Sequence, residues 1–89
     1  MIEVTKRDEE TYTVSVQGSR TTRHEVKLSP DYHRKLSGDK TTPEALVEES
    51  FRFLLEREPN TSILSSFELP LIGRYFPEYE NEIRKRIGG

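Results

Sequence analysis

Polar and apolar residues alternate along the first third of the chain. Ile2 and Val4 flank one polar position, Tyr12, Val14 and Val16 repeat that spacing, and Val26 and Leu28 close a third run. A two-residue period puts successive side chains on opposite faces of an extended strand, so each run predicts a strand with one face on a core. Asp8-Glu9-Glu10 and Gly18-Ser19-Arg20 punctuate the runs as turns. Connections this short join antiparallel neighbours, which predicts a three-stranded meander. His24 shares the face of Val26 and Leu28 and reads as a structural residue of the third strand, residues 23–28.

The period then changes to that of a helix. Ser29 is a capping residue followed by Pro30, which fits a first helical position because its missing N–H has no partner to lose there. Tyr32 and Leu36 lie four apart on one face, and Gly38 supplies a stop. Thr42, Pro43 and Glu44 repeat the start signal for a longer helix over residues 43–57, ended by Pro59. Its apolar positions, Leu46, Val47, Phe51, Phe53, Leu54 and Leu55, spread over roughly half the wheel, wider than a surface helix needs. That helix is therefore either the centre of the fold or part of an interface.

In the last third, Leu64, Phe67, Leu71 and Tyr75 recur at helical spacing, with Ile72 and Phe76 beside them. Ser65 and Glu68 have capping-box spacing, which predicts a helix starting there, with Pro70 in its first turn or at a kink. Pro77 opens a final helix with Tyr79, Ile83 and Ile87 as its stripe. Glu78, Glu80 and Glu82 stand at its start and Arg84, Lys85 and Arg86 at its end, the order that matches the helix dipole. Gly88-Gly89 reads as a frayed end. The fold expected is α+β in a single domain, residues 1–89: an N-terminal antiparallel three-stranded meander followed by three or four helices.

Composition narrows the function classes. Apolar residues make up 31% and charged residues 34% of the 89, lean material for a core, and such chains often gain stability from a partner or a second copy. Cysteine is absent, which removes disulfide scaffolds, thiol catalysis and cysteine-based metal sites. No apolar run approaches the roughly 18 residues of a membrane span, and no signal-peptide core stands at the N-terminus. A cytoplasmic protein with no membrane partner is expected. Net charge is −2, but its distribution is uneven. Residues 20–40 hold six basic against three acidic side chains, and residues 41–89 six basic against nine acidic.

Catalytic chemistry has no visible carrier. His24 and His33 are nine apart on different elements, without carboxylates at metal-ligand spacing. Phosphate-cradling glycine loops and the nucleophile elbow are missing. The expectation is a non-enzymatic protein with no metal and no cofactor.

Val26-Lys27-Leu28-Ser29-Pro30-Asp31 with Leu36, then Thr42-Pro43-Glu44-Ala45-Leu46-Val47 with Phe51, resembles the ribbon-helix-helix family of bacterial repressors and antitoxins. The resemblance implies a homodimer whose paired strands enter the major groove of duplex DNA. By position it makes Arg23, Glu25 and Lys27 the base readers, with Arg20, Arg34 and Lys35 as basic neighbours. The alternative reading is a protein-interaction module without nucleic-acid binding, whose contact surface is Phe67, Leu71, Tyr75, Phe76 and Tyr79. Both readings remain open from the sequence.

Overall fold

Strands β1 (Ile2–Lys6), β2 (Thr11–Val16) and β3 (Thr22–Lys27) form the antiparallel meander that the alternation predicts. Val14 stands opposite Val4 on one side and His24 on the other, so the three sit on one face of the sheet. Tyr12, Val14, Val16 and Val26 are buried on that face. The computed structural model describes residues 1–88. Among these, no helix is long and apolar enough to cross a membrane.

Two helices follow, and both start where the capping residues stand. In α1 (Pro30–Ser37) the Tyr32 N–H donates to the Ser29 hydroxyl at 3.1 Å, and in α2 (Pro43–Leu55) the Ala45 N–H donates to Thr42 at 3.1 Å. Each cap satisfies an N–H that the helix itself leaves without a partner. Gly38 ends α1 at φ +59°, a conformation that side chains with a Cβ resist.

The wide apolar arc of α2 comes from its position in the middle layer. Phe51 and Phe53, two residues apart and so on opposite faces, are both fully buried. The Phe51 ring lies 5.4 Å from His24 and 6.0 Å from Phe67, against the sheet. Phe53 turns the other way, 5.2 Å from Tyr79 and 5.9 Å from Phe76. Fully burying a side chain of this size contributes about 1.5–3 kcal/mol, so a helix buried on both faces anchors a lean sequence.

The helix predicted from Ser65 does not form. Ser66–Glu68 is instead a short strand, β4, parallel to β3, with Phe67 opposite Val26. Without it, β3 would expose its second edge of N–H and C=O groups. The Glu25 N–H finds the Ser65 carbonyl at 2.8 Å, and Phe67 drops onto Phe51. A one-turn 3-10 segment, Leu69–Leu71, takes up Pro70, and α3 is only Ile72–Tyr75. The helical spacing of Leu64, Phe67, Leu71 and Tyr75 is thus divided among four different segments.

The closing helix α4 (Tyr79–Gly88) packs on α1 and α2. Gly88 lies within it rather than in a frayed end, and Gly89 falls outside the described residues. Arg86 pairs with Glu49 of α2 at 3.5 Å and with Glu56 at its C-terminal cap at 2.6 Å, which gives part of the terminal basic cluster a structural role.

Candidate functional site

The basic residues singled out in the sequence do not converge. Arg23, Glu25 and Lys27 project from the face of the sheet opposite the core, and all three are exposed, as strand alternation requires. Glu3 shares a cross-strand row with Arg23 through Ser15, and Glu68 lies opposite Lys27. That face therefore carries three carboxylates with its two cations. Arg20 lies in the β2–β3 turn. Arg34 and Lys35 belong to the helical layer on the other side of the molecule, Arg34 bonded to Asp31 at 2.7 Å and Lys35 3.7 Å from Glu80. Both edges of β3 are hydrogen-bonded, to β2 and to β4. Pairing β3 with a second copy, as the ribbon-helix-helix resemblance implies, would require one of those ladders to break.

The apolar residues of the last third behave differently. Leu54 and Glu58 at the end of α2 form one wall of a groove of about 410 Å³. Ser62, Ile63 and Leu64, Phe67 of β4, and Leu71, Ile72, Tyr75 and Phe76 complete its lining. Leu64 is 48% exposed and Tyr75 66%. Four of the five residues expected on an interaction surface therefore line one groove. Tyr79 is the exception and a correction: it is fully buried, its ring against Phe53 and its hydroxyl 2.6 Å from Ser50 Oγ. Its position on the inward stripe of α4 turns it into the core, away from the groove.

A chain of hydrogen bonds holds the groove wall to the sheet. Asn60 Nδ2 donates to the Arg20 carbonyl at 2.7 Å and to Thr22 Oγ1 at 2.9 Å. Thr22 Oγ1 lies 2.9 Å from His24 Nε2, and His24 Nδ1 lies 2.7 Å from the Leu64 carbonyl. A carbonyl only accepts, so Nδ1 carries the proton in that contact, and in the neutral ring Nε2 takes the Thr22 hydroxyl proton. His24 is 3% exposed, and its expected structural role is this tether, which fixes the backbone from which Leu64 projects. Asn60, buried beside it, was not singled out by any pattern in the sequence, because its three acceptors come from residues 38 to 44 positions away.

Glu58 is the one ionisable carboxylate of the groove lining, and Ser62 the one other non-aromatic polar side chain there. Burial raises the Glu58 pKa above the ordinary carboxylate value. Its neighbour Arg57 points elsewhere: Nε donates to Glu78 at 3.0 Å, Nη1 to the Phe53 carbonyl at 3.1 Å, and the guanidinium lies 3.6 Å over the Phe53 ring. Among the described residues no three His, Asp or Glu side chains are grouped to hold a metal ion.

Compared with family models, curated proteins and solved structures, the chain matches none.

Proposed function

We propose that this domain is a protein-interaction module that docks an apolar segment of a partner protein in the groove between the end of α2, β4 and α3. The observation that supports this reading most is the pairing of Leu64 and Tyr75 on the groove rim. Apart from Met1, they are the only large apolar side chains left exposed among the described residues. Apolar surface that adjoins a concavity and remains in water is stabilised when a partner covers it. The lining holds few polar groups, which suits apolar side-chain anchors better than a small polar metabolite, whose recognition needs several converging hydrogen-bonding groups.

The experiment places a photo-crosslinking residue at Tyr75 and identifies the protein captured, then reconstitutes the pair from purified components. Leu64→Ser with Tyr75→Ser should weaken that purified complex at least tenfold while costing little thermal stability, because Tyr75 is largely and Leu64 about half in water already. Unchanged affinity would refute the groove reading. Duplex DNA titrations at 50 and 200 mM salt test the competing strand reading. Binding that falls steeply with salt, and that Arg23→Ala with Lys27→Ala abolishes, would replace the interaction module with a DNA-binding function.

A further inference from the structure

We propose that the groove selects a partner segment in which a single Lys or Arg side chain is set among apolar ones, with the Glu58 carboxylate as the counter-charge that recognises it. This inference rests on the docking reading above and names the chemistry of what docks. Several carboxylates of the fold are unpaired, but Glu58 is the one among them that lines the groove, while its neighbours along α2 and α4 are held by arginines. Glu56 and Glu49 share Arg86, Glu48 shares Arg52 with Glu49, and Glu78 holds Arg57. Glu58 has no ion pair or side-chain hydrogen bond among the described residues, although it is partly buried against apolar neighbours.

Its position adds a second unfavourable field. The Glu58 N–H closes the last turn of α2 onto the Leu54 carbonyl, so its carboxylate stands at the negative end of the helix dipole. Among the described residues no cation pairs with this partly buried carboxylate, and a cation brought by a partner would. Lys and Arg are suited to the groove because their methylene stems run along apolar surface while the charged head reaches a carboxylate. Arg can also stack on a ring, as Arg57 already does over Phe53 at 3.6 Å, and Tyr75 and Phe76 offer further rings in the groove.

The test uses the whole 89-residue chain, ¹⁵N-labelled, and three short-chain alkyl probes at fixed ionic strength: n-hexylguanidinium, 1-hexanol and hexanoate. Amide shifts of Leu64, Phe67, Ile72 and Tyr75 report occupancy of the groove. The expected order is guanidinium about tenfold tighter than the alcohol, a difference equivalent to about 1.4 kcal/mol, with hexanoate weakest. Glu58→Gln should bring hexylguanidinium to the level of hexanol, and this variant removes no contact that the fold uses. Equal binding of guanidinium and alcohol to the unaltered protein, or a preference that survives Glu58→Gln, overturns the selection by Glu58 while leaving the groove reading intact. If no probe moves the groove amides of the folded protein, the docking reading fails and this inference with it.

Discussion

Tyr79 and Ser50 allow the assignment of Tyr79 to the core to be tested quantitatively. Ser50 Oγ donates its one proton to the Leu46 carbonyl at 2.8 Å, so in the 2.6 Å contact the Tyr79 hydroxyl must be the donor. Tyr79→Phe removes that donor but leaves the Ser50 hydroxyl bonded to Leu46, a loss of about 0.5–1.5 kcal/mol for one intramolecular hydrogen bond. Ser50→Ala strands the buried phenol proton without an acceptor. That costs about 1–3 kcal/mol, less a few tenths because alanine is the better helix former. Removing both groups leaves neither orphan, so the double variant should lie within about 1 kcal/mol of the parent and be more stable than Ser50→Ala alone. The two singles are then non-additive by about 1–3 kcal/mol, and each kcal/mol appears as a Tm change of about 4–8 °C in a domain of this size. Urea unfolding followed by circular dichroism measures all four proteins, with a constant m-value as the check that only stability has changed. A double variant whose loss equals the sum of the singles would refute the coupled pair. A Tyr79→Phe protein that folds normally yet loses its partner would return Tyr79 to the interaction surface.

Alkaline stability follows from the same burial. Tyr32 and Tyr79 both have pKa values raised, chiefly by burial, with the Tyr32 hydroxyl also donating to Glu80 at 2.8 Å. A raised folded pKa means the stabilisation is complete below the ordinary tyrosine value of about 10 and is lost as pH rises beyond it. Tm should therefore fall above pH 10, with a shallower fall in Tyr79→Phe; parallel profiles would show that Tyr79 does not contribute. On the acid side, the Arg86 guanidinium, with Arg57, holds the Glu56 carboxyl below its ordinary value of 4.5. That contribution is present above pH 4.5 and disappears as pH falls through the lowered value, so Glu56→Gln should narrow the Tm difference between pH 6 and pH 3. An unchanged difference would remove the Glu56–Arg86 pair from the account of acid stability. Gly38→Ala should cost about 1–3 kcal/mol, because φ +59° with ψ −133° is a backbone conformation that a residue with a Cβ rarely adopts. A neutral result by thermal melting would show that the α1 terminus relaxes without strain.

Local chemistry made part of this protein readable from the sequence. The alternation of Tyr12, Val14 and Val16, the caps at Ser29 and Thr42 and the stop at Gly38 act within a few residues of themselves, and each stands where it was expected. The three-stranded meander and the α+β class follow from those short-range preferences. So does the inward stripe of α4, which contains Tyr79, although periodicity alone did not separate that stripe from a docking surface.

Contacts distant in sequence decided the remainder. Ser66–Glu68 became a strand rather than a helix because the open edge of β3, some 40 residues earlier, offers a ladder that a local capping box cannot match. The half-apolar wheel of α2 is compatible with an interface or with the centre of a fold. Tertiary packing settled it by placing the sheet on Phe51 and α4 on Phe53. The groove was partly legible, since Phe67, Leu71, Tyr75 and Phe76 are large and apolar. Leu64 on its rim and Glu58 in its wall acquire their meaning only when α2, β4 and α3 converge. Charge in the sequence said little about charge in space: Arg23 and Lys27 lie on one face, Arg34 and Lys35 on the other, and the carboxylates interleaved with them remove the basic surface that their spacing suggested. Backbone preference acts over a turn or a strand, whereas burial and electrostatic pairing depend on which distant segments the fold brings together.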